Sequence, residues 1–137
     1  MMDYTEQMVR TASPAKLIEM LYQRAVELLD LSIEGINKKD FLSANEYIKK
    51  CQDIITELNL SLDMKQGGEI AKNLRALYNY MFKALVEANI KKDIEKITEV
   101  RNYLFELLET WKEAMKNVGN TANKLPDPNR PRLNVSL

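Results

Sequence analysis

Between Gly67 and Asn89 the sequence GGEIAKNLRALYNYMFKALVEAN places Ile70, Leu74, Leu77, Met81, Leu85 and Ala88 three or four positions apart. That spacing makes one apolar stripe on an amphipathic helix. Tyr78 and Phe82 widen the stripe on one flank. Glu69, Lys72, Arg75, Lys83 and Glu87 fall mostly off it. Gly67 and Gly68 have poor helix propensity and mark the break before it. A helix with so wide an apolar face needs partners on more than one side, so the chain must supply further helices of the same kind.

It supplies three. Ser13-Pro14 is a helix start: serine is a good N-cap acceptor, and proline suits the first helical position because its missing N–H would be unpaired there. The first helix runs to about Ile36. Leu17, Leu21, Leu28 and Ile36 form one row, and Ile18, Tyr22, Val26, Leu29 and Ile33 form another. Two rows suit a helix touching two neighbours, or one neighbour and an external ligand. Gly35 weakens the last turn. A second helix spans about Phe41 to Leu62, with Leu42, Ala44, Ile48, Cys51, Ile54, Ile55, Leu58 and Leu62 at helical spacing. A fourth starts at Asp93 and runs to about Val118. Its stripe is Ile94, Ile97, Val100, Leu104, Leu107, Leu108, Trp111 and Met115, with Tyr103 and Phe105 off it. Leu77 and Leu107 sit mid-stripe and are expected core anchors.

The turns agree with this. In Asn37-Lys38-Lys39-Asp40 the lysines suit the negative end of the outgoing helix, and Asp40 caps the positive start of the next. Asn89-Ile90-Lys91-Lys92-Asp93 repeats the design. The expected fold is therefore all-α: an antiparallel four-helix bundle built from two helical hairpins. Residues 1–118 form one domain. From Gly119 the segment GNTANKLPDPNRPRLNVSL holds three prolines and no stripe, and reads as an extended or disordered tail over 119–137. Residues 1–12 carry Tyr4 and Met8 four apart, which can share one face of a helical turn.

Composition narrows the function. Twenty basic and twenty acidic side chains cancel. No broad basic field exists to hold nucleic acid or an anionic membrane. No stretch approaches the ~20 apolar residues of a membrane span, and no signal peptide opens the chain, so a cytoplasmic location is expected. The single cysteine, Cys51, lies in an apolar pattern and reads as a small core hydrophobe in a reducing compartment. The chain has no histidine, which removes His-dependent triads and the usual helix-bundle metal sites. Glu106 and Glu109 lie on a face shared with Lys112 and Glu113, a solvated arrangement rather than an acid pair for catalysis. Gly67-Gly68 lacks the lysine and serine of a phosphate loop. The expectation is a binding protein without cofactor, not an enzyme. The extra apolar rows of helices one and three suit helix-in-groove recognition.

Several motifs carry a family resemblance: TASPAKLIEMLY, CQDIITELNLSLD, GGEIAKNL, LYNYM, LVEANIKKD and TWKEAM. In this order and spacing, from Tyr4 to about Met115, they resemble the flagellin export chaperone family, FliS. The family commonly has Gly-Glu where Ala15-Lys16 stands and Gly where Arg24 stands. The resemblance implies a cytosolic chaperone that wraps the C-terminal segment of flagellin, prevents its premature polymerisation, and delivers it to the flagellar type III export gate. It also implies a mobile N-terminal arm that folds onto the body and moves when flagellin arrives. Tyr4 is the expected contact residue that comes from a family motif position. Met8, Ile18, Tyr22, Ile55, Leu58, Tyr78, Phe82 and Phe105 are expected contacts from the apolar pattern. The alternative is a small helical regulatory adaptor for another protein's amphipathic helix.

Overall fold

A computed structural model describes residues 12–121 of the chain. They form four helices: α1 (Pro14–Asn37), α2 (Phe41–Leu60), α3 (Gly68–Lys91) and α4 (Ile94–Thr121). α1 and α3 each pack against both α2 and α4, with α1 the most closely packed. Cross-helix bonds fix the directions. Trp111 donates from Nε1 to the Ala15 carbonyl at 2.9 Å, and Arg101 pairs with Asp30 at 3.0 Å, so α4 runs antiparallel to α1. Asn89 reaches Asn45 at 2.8 Å, and Asn59 reaches Asn79 at 2.9 Å, so α3 runs antiparallel to α2. The antiparallel four-helix bundle expected from the stripes is the fold observed.

The local signals account for the helix ends. Ser13 Oγ accepts from the Lys16 N–H at 3.2 Å, with Pro14 in the first turn. Asp40 accepts from the Ser43 N–H, and Asp93 from the Lys96 N–H, both at 3.2 Å. In each hairpin the lysine before that aspartate takes left-handed backbone, φ 61° at Lys39 and 53° at Lys92. The two turns thus share a conformation as well as a sequence. Gly35 is buried where the first hairpin doubles back. A Cβ there would lie 3.2 Å from the Asp40 carbonyl oxygen and 3.4 Å from the Ala44 Cβ. Ahead of α3 the two glycines act differently: a Cβ on Gly67 would sit 2.5 Å from that of Ala71, whereas Gly68 has φ +52°. Asp63 Oδ1 accepts from the N–H groups of Lys65 and Gln66, each at 3.0 Å, and so folds the α2–α3 connection. α2 stops at Leu60, two residues short of the expected end. α4 continues to Thr121, three residues past the expected boundary at Val118.

The core runs along the bundle axis. α4 presents Ile97, Val100, Leu104 and Leu108, and α2 presents Ile48, Cys51, Ile55 and Leu58, all buried. Each fully buried Leu or Ile contributes about 1.5–3 kcal/mol relative to exposure. Cys51 is fully enclosed, and burial pushes its thiol pKa well above the usual range, as suits a core hydrophobe.

The α3 stripe is rotated from the expected one. Ala71, Tyr78, Met81, Leu85 and Ala88 face inward, whereas Ile70 is 73% exposed. Adjacent helical positions differ by about 100°, and the small Ala71, not its larger neighbour, fits against the close turn at Gly67. Leu77 and Leu107 are half-buried beside the core, not central to it. Leu42 is 77% exposed, because the inward position at that end of α2 belongs to Ala44. The double row on α1 packs against α2 and α4: Ile18, Tyr22, Val26, Leu28 and Leu29 are buried, while Leu17, Leu21, Ile33 and Ile36 are half-buried.

Candidate partner-binding groove

The exposed apolar excess lies on α3. Phe82, Val86 and Ile90, spaced four apart, stand exposed on its outer side. Beside Phe82, α3 meets α2 through polar side chains. Asn45 pairs with Asn89, Gln52 donates to the Phe82 carbonyl at 3.4 Å, and Asn59 bonds both Asn79 and Arg75. This polar seam borders a groove between the two helices. The groove encloses about 310 Å³ and is lined by Ile55, Thr56, Asn59, Leu60, Arg75, Tyr78, Asn79 and Phe82. That size, at the low end of ligand pockets, suits anchoring side chains of a docked segment.

Tyr78 joins the groove to the core. Its hydroxyl lies 2.5 Å from that of Tyr22, in a buried hydrogen bond linking α3 to α1. Burial raises both phenol pKa values above the ordinary one. At Tyr78 the neighbouring Tyr22 adds to the effect, while the shared bond offsets part of it at Tyr22. The pair stays neutral through the physiological range.

The expected contact residues divide. Ile55, Tyr78 and Phe82 come together in the groove wall. Phe82 is 39% exposed, but Ile55 and Tyr78 are almost wholly buried and offer only edges. Ile18, Tyr22 and Leu58 are core residues at 1–4% exposure and present no surface to a partner in this conformation. Phe105, 40% exposed, lies under the Arg101 guanidinium, which is 5.0 Å from its ring, where Arg101 pairs with Asp30 of α1. That places it on the α1–α4 side, away from the groove. Tyr4 and Met8 lie outside the described residues.

Thr56, Asn59, Leu60, Arg75 and Asn79 line the groove without having been expected. Of these, Asn59 had a signal in the sequence. Asn45, Gln52 and Asn59 recur every seven residues along α2, a polar stripe beside an apolar one. Seven residues are close to two helical turns, so such a stripe marks a seam with a neighbour rather than an open face.

A second outer face, between α3 and α4, carries Tyr80 and Tyr103. Their ring centroids are 6.3 Å apart, edge to face, and Tyr80 donates to Glu99 at 2.8 Å. Among the described residues no helix is long and apolar enough to cross a membrane.

Comparison with known proteins agrees with the motif pattern. Residues 1–118 match the family model described as flagellar protein FliS. The flagellar secretion chaperone FliS of Bacillus subtilis is 35% identical over 114 residues, covering 83% of this chain and 84% of that protein. Its namesake in Salmonella typhimurium is 38% identical over 109 residues, covering 79% and 81%. The one in Campylobacter jejuni is 33% identical over 114 residues, covering 83% and 89%.

Proposed function

The chain belongs to the FliS family of flagellar secretion chaperones, and from that premise we propose that it binds the C-terminal segment of flagellin in the cytoplasm. By covering the apolar faces of that segment it prevents premature polymerisation. It then delivers the segment to the export gate of the flagellar type III apparatus. It acts by binding alone, with no cofactor and no catalysis.

The observation that carries this reading is the outward apolar row Phe82, Val86 and Ile90 beside the α2–α3 groove. A helix already packed on two neighbours has no need of such a row for its own burial. An amphipathic helix laid along it gains the area that water now covers. Balanced net charge leaves apolar contact, not long-range attraction, as the main driving term.

The test is titration of the chain with a flagellin C-terminal peptide from the same bacterium. The peptide gains helix by circular dichroism, and the heat-capacity change of binding is clearly negative, as apolar burial requires. Salt weakens binding only slightly. In a pull-down from the native cell flagellin is the dominant partner. A different dominant partner, with no flagellin binding, makes the chain a regulatory adaptor instead.

A further inference from the structure

The apolar groove has a polar edge made of donors. Arg75 donates from Nε to Asn59 Oδ1 at 3.3 Å, and Asn59 donates from Nδ2 to Asn79 Oδ1 at 2.9 Å. This relay occupies the acceptor oxygens of both asparagines. It leaves the two terminal nitrogens of Arg75 and the Nδ2 of Asn79 with no acceptor among the described residues. The Thr56 hydroxyl is turned to its own helix, donating to the Gln52 carbonyl at 3.1 Å. Arg75 is the single charged residue of the lining, is half-buried, and forms no ion pair with a carboxylate of the described residues.

A guanidinium keeps its charge at any physiological pH and has five donors in a planar fork. At the rim of an apolar cleft, where water is partly excluded, its complement is an anion with two acceptor oxygens. A neutral apolar helix would fill the cleft but strand these donors, at a cost. A helix carrying a carboxylate one turn from its apolar anchor satisfies both, because residues three or four apart lie side by side on a helix.

We infer that the α2–α3 groove takes an amphipathic helix whose apolar anchor sits between Leu60 and Phe82 and whose Asp or Glu, one turn away, is held by Arg75 and Asn79. The inference rests on the proposed function and specifies its ligand: a helix of the flagellin C-terminal segment bearing such a carboxylate. The carboxylate fixes the register of the helix along the groove, which apolar contact alone leaves free to slide.

The experiment is calorimetric titration of the full chain, native and with Arg75→Gln or Asn79→Ala, with the flagellin C-terminal peptide. In parallel, each Asp or Glu of the peptide is changed to its amide. Arg75→Gln weakens binding roughly tenfold or more, the scale of a charge-assisted bond. One amide substitution in the peptide produces the same loss and adds nothing further in the Arg75→Gln background. Changing that acid to Lys while making Arg75→Glu restores part of the affinity. If Arg75→Gln does not fold, Asn79→Ala and the peptide series against the native chain carry the same comparison. Native-like affinity of Arg75→Gln, or acids that all act additively with it, overturns the carboxylate assignment while the function stands, provided Phe82→Ala still weakens binding. No binding of the peptide to the native chain overturns both. A change in self-association of Arg75→Gln with unchanged peptide affinity assigns the groove to a second copy of the chain and overturns the inference.

Discussion

The hydroxyl of Tyr22 on α1 lies 2.5 Å from that of Tyr78 on α3, a polar bridge across the diagonal of an otherwise apolar core. Each hydroxyl is the other's partner, so removing one strands the other. Tyr22→Phe and Tyr78→Phe should each cost about 1–3 kcal/mol, whereas the double variant should cost less than their sum. Urea melts of the three variants measure it.

The same burial gives an alkaline limit. Both tyrosine pKa values are raised in the folded state, above an unfolded value near 10, and that of Cys51 is raised above a value near 9. As pH rises, the unfolded chain loses these protons first and the folded chain holds them. Stability is therefore full below about pH 9 and falls above it, by about 1.4 kcal/mol per pH unit for each group titrating only in the unfolded state. Thiol loss begins the decline and the tyrosines steepen it above pH 10. Melts between pH 7 and 11 check this. Cys51→Ala should remove the onset near pH 9 and leave the later slope.

The core makes a graded prediction. Leu85 and Leu104 are fully buried, and replacing either by Ala should cost about 2–5 kcal/mol through lost transfer energy and a cavity. Leu77 and Leu107 keep part of their surface in water, so the same change should cost roughly 1–2 kcal/mol, less than at the buried pair. Denaturant midpoints at constant slope decide it. Equal losses at all four positions would contradict the observed rotation of α3 and the half-buried place of Leu107 on α4.

That rotation shows what the sequence reveals and what it does not. The number of helices, their caps at Ser13, Asp40 and Asp93, and the stripe on α4 follow from spacing and local hydrogen bonding, which are properties of neighbouring residues. The facing of α3 does not. A stripe read by hydrophobicity favours Ile70 over Ala71 and treats Tyr78 as a flank. Packing instead selects the small residue where backbones approach and a tyrosine whose hydroxyl finds a buried partner. The groove was legible in part. Phe82 stood out as apolar, but Arg75, Asn59 and Asn79 are polar and fall outside any search for apolar rows. Only their pairing across two helices gives them a common role. Phe105 is apolar and exposed as well, but it lies beside the Arg101 guanidinium on α4 and outside the groove lining.

Gly67 tests the turn that seats α3. A Cβ there would meet the Ala71 Cβ at 2.5 Å and the Asp63 carbonyl oxygen at 2.7 Å, both attached to fixed backbone. Gly67→Ala should therefore cost about 1–3 kcal/mol by overpacking. Gly68→Ala meets no neighbour and carries only the penalty of left-handed backbone, about 1–2 kcal/mol. Adding Ala71→Gly to Gly67→Ala should recover part of the first loss. Thermal melts of the three variants separate steric from conformational strain.

The last prediction concerns residues 2–10, which precede the described part of the chain and hold Tyr4, Met8 and Val9. The segment is too short to be a stable helix alone and apolar enough to cover part of a groove. In the described part of the chain, Trp111 ties the start of α1 at Ala15 to α4, and α4 continues from there to Thr121, about 15 Å further. We propose that this arm competes with flagellin for the body. A docking energy of about 1–2 kcal/mol leaves the open state about 3–15% populated and lowers apparent affinity by that factor. Deleting residues 2–10 should then tighten binding of the flagellin peptide about six- to thirtyfold. It should also lower the melting temperature of the free chain and increase binding of an apolar dye. If Tyr4 contacts flagellin directly, the deletion weakens binding instead. Titration of the full and shortened chains with one peptide distinguishes the two, and equal or weaker affinity in the shortened chain ends the self-capping proposal.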